Sequence, residues 1–505
     1  MERLSGLDST FLYLETPTLH MHVAMTLVLD PTTVPGGYRF EHMRDVIAAR
    51  IKGEPVFRRR LVEVPFRLGH PVWVEDPEFD IEYHVRRAAL PSPGGLRELG
   101  ELAGEVAGQQ LDRTKPLWEM WFVEGVAGGR IALVAKMHHS TVDGVTGAAL
   151  LSVLFDLEAD PVDRRPAEPP PADERMPSGL ELAAGAVAAG AVRPFEIGLD
   201  LMRTCLRLVD VRRVRRHHDA RSSGPKAALP LSAPRTSFNA AISRRRRIAF
   251  SAVALDDVKR LKNAMGTTVN DVVLAVCTGA LRQFLLDGEE LPDRPLVAVV
   301  PVSVRSEGVT TGSNRVSAMF VQLPTQLEDP MARLSAIREG TRNAKEEHQA
   351  LGADLLINWA EYAAPNVFAA AARFYTGMGL ANRHRPIANL VVSNVPGPDF
   401  PLYLGGAELE AGFPLGPVMD GMGVNATIMS YRGVLYWGFI ACPEVMPRTW
   451  DLAGAVPPAL DELLAAAGLE PSRPVPVLGT PPGGSAPKGT VGSAGSVGSA
   501  GSSGR

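Results

Sequence analysis

The stretch Ile131-Ala132-Leu133-Val134-Ala135-Lys136-Met137-His138-His139-Ser140-Thr141-Val142-Asp143-Gly144 decides the reading of this chain. Its first half is an apolar run of strand length, and a helix-like segment, Val145 to Leu157, follows the glycine. The pattern predicts a strand, a turn carrying two imidazoles and an Asp-Gly pair, and then a helix, which is a unit of an α/β fold. An imidazole at a strand end is held rigidly at the edge of a cavity, a position suited to a general base, and the spacing suits acyl transfer to a hydroxyl.

Outward from that unit, alternation predicts strands at Met21–Leu29, Ala88–Leu90 and Trp118–Val123, with helices at Phe40–Ile51 and Leu96–Leu111. Together they form a first α/β region over residues 1–157. The proline-rich segment from Glu158 to Ser178 sustains neither periodic structure, and Gly179 to Arg216 carries an amphipathic helical stripe, so residues 158–237 read as linker plus helix. A second α/β region spans 238–470. It has strands at Ile248–Val253, Leu296–Val304, Leu390–Ser393, Thr427–Ser430 and Leu435–Ile440, and helices at Leu255–Ala264, Asn270–Leu286 and Pro330–Gln349. Residues 471–505 are dominated by Gly, Ser, Ala, Pro and Val, and read as a disordered tail.

With 505 residues, 45% of them hydrophobic, the chain is long enough for more than one core. A formal charge of -4 excludes a protein whose main partner is nucleic acid. Cys205, Cys277 and Cys442 are dispersed, so neither a disulfide framework nor a zinc site is expected, and a reducing cytoplasm fits. The N-terminus lacks the features of a secretory signal. The Ala- and Gly-rich stretch Leu182–Val192 is too short to span a bilayer, so any membrane contact is expected to be peripheral, at the inner membrane face or a lipid droplet.

Further motifs accompany the histidines: Leu7-Asp8-Ser9-Thr10-Phe11-Leu12, Pro116-Leu117-Trp118-Glu119, Pro234 to Asn239, Asn270-Asp271, Pro301 to Arg305 with Gly312 to Arg315, Asn394-Val395-Pro396-Gly397-Pro398, and Ser430-Tyr431-Arg432-Gly433. In this order the chain, from Leu4 to about Gly468, resembles the bacterial wax ester synthase/diacylglycerol acyltransferase family, in particular its actinobacterial triacylglycerol synthase members. Where the family has glycine-leucine-asparagine, this chain reads Gly423-Val424-Asn425. The resemblance implies two chloramphenicol-acetyltransferase-like α/β domains with mixed sheets, joined by a long helical crossover, with a tunnel between them and the histidine motif midway along it.

An imidazole accepts the alcohol proton as the oxygen attacks a thioester, and the thiolate leaves without an acyl-enzyme, so no nucleophilic serine or cysteine is required. His139 is the expected base. His138 either supports the loop, lines the tunnel or takes part directly. By the resemblance, Asp143 turns away from substrate to a salt bridge with Arg305, a structural role. Gly144 admits the acyl chain beside the base or simply starts a helix. Asn270 is either an N-cap or a group that orients substrate. Trp118 and Pro116 read as packing residues or as tunnel wall, while Asn394 and Pro396 form a rigid turn that the resemblance places near the tunnel. The run Arg244 to Arg247 reads as a solvated face, an anionic-lipid contact or a seat for CoA phosphates.

The expected activity is transfer of a long acyl group from acyl-CoA to diacylglycerol, giving triacylglycerol, with fatty alcohols as further acceptors. Acyl-CoA is a co-substrate, and neither a cofactor nor a metal is expected. Two rivals share the motif: a condensation-type enzyme that takes acyl groups from a carrier protein, and a lipid-binding protein without chemistry.

Overall fold

The computed structural model describes residues 2–65, 69–141, 147–160, 231–303, 316–351 and 365–472, with Glu181, Val475 and Leu478. In chain order the strands are β1 (Glu2–Arg3), β2 (His22–Asp30), β3 (Arg59–Val62), β4 (Val72–Glu75), β5 (Val85–Ala89), β6 (Trp118–Val126), β7 (Arg130–His138), β8 (Arg247–Ala254), β9 (Leu296–Ser303), β10 (Val316–Leu323), β11 (Leu390–Val395), β12 (Tyr403–Leu404), β13 (Ala407–Leu415), β14 (Val424–Tyr431) and β15 (Val434–Ala441). The helices are α1 (Gly6–Leu14), α2 (Phe40–Ile51), α3 (Ile81–His84), α4 (Leu96–Ala107), α5 (Gly147–Leu154), α6 (Leu255–Met265), α7 (Val269–Asp287), α8 (Pro330–Leu351), α9 (Pro365–Gly377), α10 (Thr449–Gly454) and α11 (Val456–Ala466).

Two six-stranded mixed sheets carry the fold, ordered β12-β13-β2-β7-β6-β5 and β10-β9-β11-β14-β15-β8, beside a small sheet β1-β4-β3. The first sheet is not built from the first region alone. β13, which the sequence places in the span 238–470, pairs with β2, Phe413 opposite Thr26 and Leu415 opposite Ala24, and carries β12 on its other edge. Local alternation forms a strand but does not name its neighbour, because pairing is decided by what the strand buries on each side.

β13 also lies across the second sheet, and this crossing joins the halves. Phe413 packs against Phe250 with tilted rings whose centroids are 4.5 Å apart and meets Tyr436 edge-on at 5.3 Å. Gly438 makes the crossing possible, since a Cβ there would sit 2.0 Å from the Pro414 carbonyl oxygen. On the far side of the junction, α4 covers the edge strand β8. Cβ atoms at Gly100 and Gly104 would lie 2.7 Å from Ile248 O and 2.6 Å from Arg246 O, so only glycines let the helix lie this close. An edge strand closed in this way offers no free ladder for aggregation.

Behind the second sheet, α7 is buried almost all round, from Val272 to Leu285, and packs against α8 and α11. Although long and apolar enough to cross a bilayer, this helix is largely enclosed by the protein and serves as its core. It starts on a capping box in which Thr268 Oγ1 accepts the Asp271 N–H at 3.2 Å and an Asp271 carboxylate oxygen accepts the Thr268 N–H at 3.0 Å. The amphipathic helix expected within Gly179–Arg216 and the tail beyond Gly479 lie outside the described residues.

Candidate active site

β7 delivers two adjacent imidazoles to different surroundings. His138 is 1% exposed, and its backbone N–H donates to Leu117 O at 3.0 Å. Its Nδ1 accepts the Ser140 N–H at 3.1 Å and lies 2.7 Å from Ser140 Oγ. The ring proton therefore sits on Nε2, which faces Glu15 Oε2 at 3.7 Å. Burial holds His138 well below the ordinary imidazole range, with Arg113 and His139 adding to the effect. Burial raises Glu15, against the opposing charge of Arg113, whose Nε donates to it at 2.9 Å. His138 is thus a neutral, tied-down ring that shapes the strand end.

His139 is held more loosely. Its backbone N–H donates to Met21 O at 2.9 Å, and its ring stacks on Phe11 of α1 with centroids 4.0 Å apart. Nδ1 is buried and finds no partner in another described residue. Burial pushes its pKa down, so the ring is neutral at pH 7 and available as a base.

The ring lines a chamber of about 430 Å³ between the two sheets. Met25, Ala135 and Met137 form one wall, and Val299, Ser393, Val395, Thr427 and Met429 face them; no charged side chain lines it among the described residues. Strand alternation sorts the second wall: Asn425, Thr427 and Met429 face the chamber while Ala426 and Ile428 enter the core behind the sheet. Asn425 is fixed by donating to Pro417 O at 3.0 Å and accepting from Thr427 Oγ1 at 2.7 Å.

Of the residues given a site role from sequence, only His139 lines this chamber, while Phe11, Pro301, Val395 and Asn425 of the accompanying motifs line it as well. Trp118 is 1% exposed, donates from Nε1 to Phe57 O at 2.8 Å and stacks on His84 at 4.4 Å; it is core, not tunnel wall. Pro116 is buried beside it, and this segment serves the site through the Leu117 carbonyl that anchors His138. Asn270 is not the N-cap, because Thr268 takes that place, and it does not line the chamber. On β11 the alternation puts Ser393 and Val395 on the wall and turns Asn394 to the other face. Pro396 is exposed, and Gly397 lets the chain pass β14, since a Cβ would meet Ser430 O at 2.2 Å. Asp143, Gly144 and Arg305 lie outside the described residues. Sequence reasoning missed Phe11, Ser393 and Thr427 as wall residues. Polar Asn425 and Thr427 at alternate positions of β14 were the available signal. No cluster of metal-ligating side chains occurs among the described residues.

Paired mixed sheets with a buried neutral imidazole on the chamber between them define an acyltransferase of the chloramphenicol-acetyltransferase-like class. The solved wax ester synthase/diacylglycerol acyltransferase from Marinobacter aquaeolei VT8 superposes with a TM-score of 0.64 at 30% identity, covering 92% of this chain and 100% of that one. The first condensation domain of the CDA synthetase shares the fold alone, with a TM-score of 0.51 at 13% identity. Residues 4–273 match the wax ester synthase/diacylglycerol acyltransferase catalytic domain, and 312–464 match the C-terminal domain of the same family. A Mycobacterium tuberculosis protein described as a putative diacylglycerol O-acyltransferase is 42% identical over 93% of this chain and 92% of its own length. Another from that organism, described as a probable diacylglycerol O-acyltransferase, is 34% identical over 93% of this chain and all of its own length. The chain belongs to the wax ester synthase/diacylglycerol acyltransferase family, and it is an acyltransferase enzyme.

Proposed function

We propose that this enzyme moves a long acyl group from acyl-CoA to the free hydroxyl of diacylglycerol, with His139 as the general base, and that fatty alcohols serve as further acceptors. The observation that carries the reading is a neutral imidazole on the wall of an apolar chamber between the sheets. Each methylene of an acyl chain buried there contributes about 0.8 kcal/mol, which favours long chains. The acceptor oxygen attacks the thioester carbon while its proton passes to the ring; the C–S bond then breaks and the thiolate takes that proton, leaving ester and free CoA. The developing oxyanion needs neutral donors, and the Ser393 hydroxyl and the Asn425 amide on the facing wall are the candidates. Because a thiolate leaves readily, neither an acyl-enzyme nor a metal enters this scheme.

Incubation with palmitoyl-CoA and diolein, following thiol release, tests the reading. Release without a carrier protein, lost in His139→Ala, is expected. Acyl transfer only from a carrier protein would favour the condensation-type rival, and binding without turnover the lipid-binding one. The proposal also places the enzyme in the cytoplasm, docked peripherally on a membrane or droplet that supplies the glyceride. Phe374 and Met378, 63% and 45% exposed at the end of α9, support such docking.

A further inference from the structure

The His139 chamber continues beyond its own walls. Met21, Ala24, Leu415 and Pro417 line both the chamber and a constriction of about 10 Å³ that also touches His20, His22 and Arg246. His20 and Arg246 in turn line a cleft of about 1080 Å³ at the junction of the two halves. The three spaces therefore lie in series: apolar, narrow and polar, then cationic.

The cleft carries Arg97, Arg244 to Arg247 and Arg448, against the carboxylates of Glu101, Glu105 and Asp451. Two of the arginines are engaged by acids: Arg448 stands 4.0 Å from Asp451, and Arg245 stands 3.3 Å from Glu444. Among the described residues, no carboxylate comes within ion-pair distance of Arg97, Arg244, Arg246 or Arg247. Arg246 is half-buried and donates only to main-chain carbonyls, Ser243 O at 2.6 Å, Arg245 O at 2.8 Å and Thr18 O at 2.5 Å. Guanidinium groups that outnumber the carboxylates around them, four of them without an acid partner, suit a bound phosphate. In the constriction, His22 is 7% exposed with neither ring nitrogen partnered. A buried polar side chain of this kind calls for a hydrogen-bonding guest.

We propose that the arginine cleft seats the phosphorylated nucleotide of acyl-CoA and that the constriction holds its pantetheine arm, with His22 bonding an arm amide, so that the thioester reaches His139 from this side. This rests on the acyl-CoA reading above. As it stands the constriction admits no more than a water, so His20 and Arg246 swing aside to let the arm pass. Both are held by main-chain carbonyls, His20 Nε2 by Pro17 O at 3.1 Å and Arg246 in part by Thr18 O. The glyceride then enters by another route, which keeps the two substrates on opposite sides of the base.

The test measures CoA binding by calorimetry and thiol release from palmitoyl-CoA and from palmitoyl-N-acetylcysteamine, which lacks the nucleotide. Arg246→Gln is the direct variant; Arg244→Glu, on an exposed side chain, reports even if the first fails to fold. Either is expected to weaken CoA binding by about tenfold or more and to erode the preference for palmitoyl-CoA over the truncated thioester by a similar factor. Wild-type binding of CoA should fall steeply with salt. An unchanged CoA affinity and preference would overturn the proposal. So would a loss confined to vesicles of phosphatidylglycerol, which would assign the phosphate chemistry to a lipid headgroup. If wild type binds CoA through these arginines yet releases no thiol, the acyltransfer reading fails while the site stands.

Discussion

The chamber and the cleft meet at His20 to Met21 and share no chemistry. One is lined by hydrocarbon with a few neutral polar groups, the other by guanidinium groups. The cleft announces itself in four consecutive arginines, whereas the chamber is assembled from two to five residues of each of seven segments, and apart from His139 none of these residues looks functional alone. Charge is costly to bury and so stays near a surface where it clusters visibly, while an apolar wall is indistinguishable from core until the two sheets are seen to leave a gap.

The sharpest way to break this division of labour is at the base. His139→Ala should lower thiol release roughly a hundredfold to ten-thousandfold while leaving the melting temperature nearly unchanged, since the ring borders a cavity. Activity surviving that change would end the mechanism. Next in size is the joint that frames the chamber. Gly438→Val places a side chain against the Pro414 carbonyl and should cost about 3 kcal/mol or more, read as a lower melting temperature. A fully stable variant would show that β13 does not press on β15 as described.

Within the chamber, Ser393→Ala and Asn394→Ala form a paired test of strand alternation. Loss of the wall hydroxyl should reduce kcat roughly tenfold, and loss of the outward amide should be felt in stability rather than in turnover. The reverse ranking, from steady-state kinetics, would mean that β11 presents its other face. A further expected effect is in pH dependence. Burial lowers His139, so the acid limb of the kcat/KM profile should fall below the ordinary imidazole value of 6.5. His20, pushed by burial and then by Arg246 from 6.5 to about 4, binds more protons unfolded than folded across that window. Its contribution is complete above pH 6.5 and is lost as pH falls towards 4, roughly 3 kcal/mol in all. Denaturant titrations should show that slope in wild type and a shallower one in His20→Gln.

Much of the fold was legible beforehand because periodicity is local. The helix expected over Phe40–Ile51 forms over those same residues, and the strands around Ile131–Met137, Ile248–Val253 and Leu435–Ile440 each differ by a residue or so at their ends. β10 was missed, and α9 as well. The imidazole on the chamber was legible too, since His139 stands at the end of an apolar run and its ring reaches the wall. The rest of the candidate site was not. Trp118 and Asn394 stand out in sequence by type, yet one packs in the core and the other turns away, while the wall is made by Ser393 and Thr427, which look ordinary.

Sequence by itself therefore determined most of the elements, the family and the imidazole that reaches the chamber, because hydrophobic period and motif order are written along the chain. Tertiary structure alone decided that β13 crosses into the first sheet, that the chamber lies between the sheets, and that the arginines open towards it through His20 and His22. These are contacts between residues hundreds of positions apart. Side-chain burial and close backbone approach at glycines select them, and neither quantity exists until the chain has packed.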